Sequence, residues 1–168
     1  MADRPDASEY DAMLDATLDK HTGFMPVEMA FIIILAGAVF ADNKVRNVET
    51  QELDALIARA KTLKGKSDAE RKQMRDAAFK LVKEKTNRRD QVKIAAESIL
   101  RTQAGIAPAL PVEGLAESVF AHACDIACTD LKVPKEEVQF LSQLALDLKM
   151  DKERAKHIMK TIGLKNAF

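Results

Sequence analysis

The chain carries one pattern twice: ADNKVRNVETQELDAL at residues 41–56 and TDLKVPKEEVQFLSQL at residues 129–144. The two copies are offset by 88 residues, and Asp42, Lys44, Val45, Glu49, Leu53 and Leu56 recur as Asp130, Lys132, Val133, Glu137, Leu141 and Leu144. Each copy follows a helical stretch rich in small residues, which allow helix axes to approach closely. We therefore predict two repeated helix–acidic turn–helix units whose small-residue helices cross at the centre of a bundle.

The common pattern, D-x-K-V-x-x-x-E, predicts a tight turn between helices. The Asp ends one helix and accepts backbone N–H bonds across the turn, the Val packs into the core, and the Glu lies in the first turn of the next helix. The simpler interpretation is that these carboxylates only hold the turns together. The alternative is that they bind a divalent cation, Ca²⁺ or Mg²⁺, through the four residues Asp42, Glu49, Asp130 and Glu137. The spacing is not that of an EF-hand loop, because basic residues stand where that motif has Asp or Asn.

Apolar residues follow a helical period along the whole chain, and no segment alternates with the period of a strand. We predict an all-α fold, a single-domain bundle of seven or eight helices comprising residues 1–168. Residues 1–8 are expected to form a flexible tail, and residues 105–111, with two prolines and a glycine, a linker. The repeats are placed at about 26–64 and 112–150, with basic helices at 67–103 between them.

Composition indicates a cytoplasmic globular protein. Apolar residues make up 47% of the chain, and the run AFIIILAGAVFA at residues 30–41 has 12 residues, whereas a bilayer span needs about 20. This run is therefore predicted to be a buried helix, and no transmembrane segment is expected. The first residues lack the layout of a signal peptide. Cys124 and Cys128 lie four residues apart on a predicted helix, so free thiols in a reducing compartment are expected.

The 26 basic and 26 acidic residues balance overall but are segregated. Residues 1–58 carry a net charge of −7, residues 59–101 of +8, and residues 102–168 of −1. We interpret the basic segment as a solvated face that complements the acidic N-terminal third. Apart from Phe79, no aromatic residues lie among the charges of this segment, so we do not expect it to bind nucleic acid. We expect protein partners instead.

No combination of residues indicates an enzyme. His122 lies about 200° around its helix from Cys124, which argues against a zinc site with Cys128. Residues 60–67, AKTLKGKS, match a relaxed phosphate-loop pattern, but no strand precedes them. Ser67 and Glu70 instead form the pattern of a capping box. Neither a nucleophile–base pair nor a set of metal ligands typical of catalysis is apparent, so we predict a non-enzymatic protein.

At the two turns, DNKVRNVE (42–49) and DLKVPKEE (130–137), the chain resembles the TerB-like tellurite-resistance family. That family carries two helical repeats with turns of the form D-G-x-V/F-x-x-(E/D)-E, followed by a Leu-rich helix and an L-x-L/M-D segment. The segment LALDLKMDKERA at residues 144–155 is similar to that last element. The resemblance covers about residues 25–160. It departs from the family pattern at Asn43 and Leu131, which replace the glycine after each Asp.

The resemblance implies a helical bundle, mostly non-enzymatic, associated with tellurium-oxyanion and metal-stress responses and with binding of divalent metals or protein partners. It points to Asp42, Glu49, Asp130 and Glu137 as metal ligands, with Glu136 as an adjunct. Because Asn tolerates a left-handed backbone and Leu does so poorly, the second turn is less suited to the ligand role. We thus expect a TerB-like binding module in a stress response. The alternative is an adaptor without metal that docks partner proteins through its acidic and basic faces.

Overall fold

The computed structural model describes residues 25–105, 113–129 and 133–165. Within these ranges it contains seven α-helices, one short 3₁₀ helix at Lys61–Leu63 and no strand, which confirms the predicted all-α class. The helices are α1 Val27–Phe40, α2 Asn47–Arg59, α3 Asp68–Val82, α4 Lys85–Gln103, α5 Leu115–Ala127, α6 Lys135–Asp147 and α7 Lys152–Lys165. The expected tail at residues 1–8 and most of the linker lie outside the described residues.

Helix α1 forms the centre of the bundle. All its residues from Met29 to Val39 are buried, and it packs against α2, α3, α4, α5 and α6. A helix that is apolar on every side is stable in water only when it is surrounded by other elements. The prediction that the apolar run is a core helix is confirmed. Of the helices that the structure describes, none combines the length and apolar character needed to cross a bilayer.

Helix α1 packs closely against its neighbours at Gly37. A Cβ atom added there would lie 2.8 Å from Cγ2 of Val92 on α4 and 3.0 Å from the ring of Phe140 on α6. Both separations are too short for a side chain to be accommodated without displacement of its neighbours. The small residues of α1 thus let α4 and α6 approach, in addition to the contact with α5 that the sequence predicted.

Residues 60–67 link α2 to α3 and do not form a phosphate loop. The 3₁₀ helix is followed by Gly65 with φ of +92° and then by Ser67, the N-cap of α3. The hydroxyl of Ser67 accepts from the amide of Glu70 at 3.2 Å, and the Glu70 carboxylate accepts from the amide of Ser67 at 2.6 Å. This is the predicted capping box.

The helix bounds keep the spacing of the repeated sequence. Helices α5 and α6 begin 88 residues after α1 and α2, and α6 also ends 88 residues after α2. Glu49 and Glu137 are consequently the third residues of α2 and α6, as the turn pattern predicted. The two glutamates therefore hold equivalent positions on equivalent helices.

Candidate functional site

The first acidic turn has the predicted backbone. Helix α1 ends at Phe40, and Asn43 adopts a left-handed conformation with φ of +60°. The Oδ1 atom of Asp42 accepts a hydrogen bond from the amide of Lys44 at 3.0 Å. Asn is one of the few residues other than glycine that take this conformation at low cost. The chain thereby turns within a few residues and begins α2 at Asn47.

The prediction that the valine of each turn packs into the core was wrong. Val45 is 47% exposed and Val133 is 37% exposed, whereas Glu49 and Glu137 are each only 1% exposed. The valines precede their helices, so helical periodicity does not direct them inward. Each glutamate is placed one and two helical turns before buried leucines on the same helix face. These leucines are Leu53 and Leu56 on α2, and Leu141 and Leu144 on α6.

Arg46 joins three of the four predicted site residues. Its Nη2 atom donates to Oδ2 of Asp42 at 2.8 Å, and its Nη1 atom donates to Oε1 of Glu49 at 3.0 Å. The same Nη1 atom lies 3.4 Å from Oε1 of Glu137, across the interface between the repeats. The role of Arg46 was missed in the sequence, where it appeared only as a variable position of the turn. The fourth predicted residue, Asp130, lies outside the described residues.

Burial raises the pKa of both facing glutamates. Desolvation raises the pKa of Glu49. Desolvation, together with the nearby carboxyl group of Glu49, raises the pKa of Glu137 to about 8. Two ionised carboxylates cannot hydrogen-bond to each other, because both are acceptors. When one of them is protonated, it can donate a hydrogen bond to the other. Near neutral pH the pair therefore holds a proton in addition to its contacts with Arg46.

The hydrogen bonding of this carboxylate cluster, defined as Asp42, Glu49 and Glu137, is incomplete. Within the described part of the chain, the Oε2 atoms of Glu49 and Glu137 are buried and have no hydrogen-bond partner. A buried carboxylate oxygen without a partner is costly. The cluster thus has unused acceptor capacity that a cation, a proton or a water molecule can use.

The described residues do not themselves form a finished metal centre. Among them, no three or more His, Cys, Asp or Glu side chains are grouped so that they could hold a metal ion. Glu49 and Glu137 converge on one atom of Arg46, and Asp42 joins them through the guanidinium. Glu136, the predicted adjunct, is exposed. The metal assignment therefore remains a prediction.

His122 and the two cysteines are packing residues of the bundle. The ring of His122 packs edge-on against Phe31 with centroids 5.6 Å apart, and burial lowers its pKa. Cys124 is buried and Cys128 partly so, both as free thiols, and desolvation raises the pKa of each. Thiols held in this protonated form are weak nucleophiles and weak metal ligands.

Part of the basic segment supports the acidic turn. Arg88 on α4 is 5% exposed and donates to the carbonyl oxygen of Phe40 at 2.5 Å and to Oδ1 of Asn43 at 2.8 Å. It thereby satisfies the C-terminal end of α1 and fixes the turn that carries Asp42. Arg89 forms two hydrogen bonds with the carboxylate of Asp147, at 2.6 and 3.2 Å. Arg88 thus contacts uncharged groups and Arg89 an acidic residue of the C-terminal third, whereas the interpretation from the sequence was a solvated basic face that complements the acidic N-terminal third.

Comparison with known proteins identifies no relative. A scan against protein-family models, a search of curated proteins and a search of solved structures each found no match to this chain. The resemblance to the TerB-like family accordingly rests on the two turn motifs. The functional argument depends on the chemistry of the carboxylate cluster.

Proposed function

We propose that this protein is a non-enzymatic, TerB-like binding module that holds one divalent cation between its two repeats. Glu49 and Glu137 would supply the central ligands, Asp42 would lie at the rim, and Asp130 would complete the set. One observation carries the proposal. Two buried carboxylates, one from each repeat, meet at the same guanidinium nitrogen, and in the described residues each retains an oxygen without a partner.

Coulomb forces favour a doubly charged ion at such a position. Once the proton that the pair holds near neutral pH has left, the two facing carboxylates repel strongly out of contact with water, and a single arginine also shared with Asp42 compensates them only in part. A divalent cation would take the place of that proton. Carboxylate oxygens are the ligands that Ca²⁺ and Mg²⁺ prefer, at 2.3–2.6 Å and 2.0–2.1 Å respectively. Ca²⁺ fits better, because it tolerates irregular geometry and completes its shell with water or backbone carbonyls. The resemblance suggests a setting in tellurium-oxyanion or metal stress.

Calcium titration of the whole chain tests this function. Wild type should show saturable heat and amide NMR shifts centred on residues 42–49 and 133–137. Both signals should be lost in Glu49→Gln and Glu137→Gln, which keep side-chain shape but remove the charge. Glu136→Gln is the matched control, since it removes an exposed carboxylate next to Glu137. If millimolar Ca²⁺ and Mg²⁺ produce no saturable change in wild type, the cation function is rejected.

A second candidate is the adaptor without metal, favoured by one observation. Four valines on and beside the turns are 37–50% exposed: Val45, Val48, Val133 and Val138. Exposed apolar side chains near a charged cluster are typical of protein-binding surfaces. Under this function, partners bind equally well with or without a chelator, and replacing Val45 and Val133 by serine abolishes binding. Binding that requires Ca²⁺ would instead favour the cation function.

A further inference from the structure

We infer that Arg46 is a built-in competitor for the cation: its guanidinium contacts both Glu49 and Glu137 and leaves when a divalent ion binds. This inference rests on the proposed cation site and deepens it, because it states how occupancy is set. Arg46 then determines the cation concentration at which the site fills.

The contacts of Arg46 place it where an ion would have to bind. Its Nη1 atom is shared between Oε1 of Glu49 at 3.0 Å and Oε1 of Glu137 at 3.4 Å. A calcium ion contacting both atoms needs separations of about 2.3–2.6 Å, so it would take the space of that nitrogen. Ion and guanidinium are both positive and are attracted to the same two carboxylates, and they repel each other at this short distance. They therefore compete for the pair.

Arg46 lies at the solvent side of the cluster. It is the residue before α2, with an extended backbone at φ of −100° and ψ of 142°, and its side chain remains 31% exposed. The guanidinium thus reaches the cluster from the solvent side. Rotation of its side chain into water would leave the helical hydrogen bonds of α2 in place, since those involve only the backbone.

Within the described residues, the guanidinium divides its two terminal nitrogens among three carboxylates. Stable arginine–carboxylate pairs are commonly bidentate, with both nitrogens on one carboxylate. Here Nη2 is used by Asp42 at 2.8 Å, and Nη1 is divided between two glutamates whose second oxygens have no partner among the described residues. In the second repeat the position equivalent to Arg46 is Pro134. The site therefore receives an arginine from one side only.

Calorimetry with CaCl₂ on the full chain tests the competition. If the guanidinium fills the site more than nine-tenths of the time, removing it should tighten binding by about tenfold or more. We expect this for Arg46→Gln. Lys44→Gln is the matched control, because it removes a positive charge two residues away whose side chain is exposed, and it should change affinity by less than about threefold. If Arg46→Gln gains no more than Lys44→Gln, the competition does not exist.

A second readout uses wild-type protein and does not depend on the folding of a variant. The Nε–Hε NMR signal of Arg46 should shift and sharpen during the Ca²⁺ titration, in proportion to the shift of the Glu49 and Glu137 carboxyl carbons. Carboxyl shifts with an unchanged Arg46 signal would overturn the inference while leaving the cation function intact. No Ca²⁺ response in either wild type or Arg46→Gln would reject the cation function, and the inference with it.

Discussion

Replacing Glu137 by glutamine should change how the stability of this protein depends on pH. Burial and the facing carboxyl of Glu49 raise the pKa of Glu137 from 4.5 to about 8. The folded protein therefore holds this proton more tightly than the unfolded chain does. The resulting stabilisation is complete below about pH 4.5 and is lost as the pH rises through about 8. Glutamine is neutral at every pH, so the variant does not suffer that loss.

The magnitude follows from the pKa shift. Each pK unit corresponds to about 1.4 kcal/mol, which sets an upper limit of about 5 kcal/mol on the fall in unfolding free energy. Water entering the site as it ionises reduces this value, so we expect wild type to lose about 2–3 kcal/mol relative to Glu137→Gln between pH 5 and pH 8.5. The variant should be the more stable protein at pH 8.5.

Urea denaturation followed by circular dichroism, at pH 5, 7 and 8.5 with a chelator present, measures the effect. Glu136→Gln removes an exposed carboxylate from the same helical turn and should stay within about 0.5 kcal/mol of wild type throughout. If the free energy of unfolding of wild type relative to Glu137→Gln stays constant with pH, or increases as the pH rises, the assignment of a raised pKa to this buried pair is refuted.

Three further predictions concern packing, the turn and the cation. Gly37→Ala should lower the free energy of unfolding by about 1–3 kcal/mol in urea denaturation, because its Cβ would overlap neighbouring side chains. Gly163→Ala, with open space around its Cβ, should instead gain about 0.5–1 kcal/mol. Arg88→Met should lower the free energy of unfolding by about 1.5–3 kcal/mol, because it leaves the C-terminal carbonyl of α1 without its hydrogen bond. Arg89→Met, at a more exposed position, should lower it by less than about 1 kcal/mol. Equal losses in the two variants would contradict this prediction. The affinity for Ca²⁺ should increase up to tenfold per pH unit from pH 6 to 8, because binding releases the proton held by the glutamate pair. Calorimetry in buffers of different ionisation enthalpy measures that proton release. An affinity that does not change with pH would contradict this prediction.

The helical architecture could be predicted because its signals are local. The apolar run at residues 30–41 was predicted to be a buried helix, and the helix that contains most of it spans Val27–Phe40. The capping box at Ser67 depends on residues three apart, so its recognition needs no tertiary information. The contacts of Gly37 could not be predicted in the same way, since they involve side chains on α4 and α6 that lie far along the chain.

The candidate site was predicted only in part. The motif located the acidic residues, but it led us to place Val45 in the core and to overlook the burial of Glu49. The spacing of Glu49 from Leu53 and Leu56 contained the signal, because residues four and seven apart share a helix face. The contact between Arg46 and Glu137 spans 91 residues and depends on how α6 approaches α2. No local pattern encodes that approach.

The presence of arginine in one repeat and proline in the other makes the two halves complementary rather than interchangeable. Two second halves facing each other would bring together two Glu137 carboxylates beside Pro134, with no guanidinium from either turn. Two first halves would supply an excess of Arg46. If two copies of this chain ever exchanged halves, each first half would therefore be matched with a second half of the other copy. The matched halves then reproduce the contact between Arg46 and Glu137 that forms within one chain.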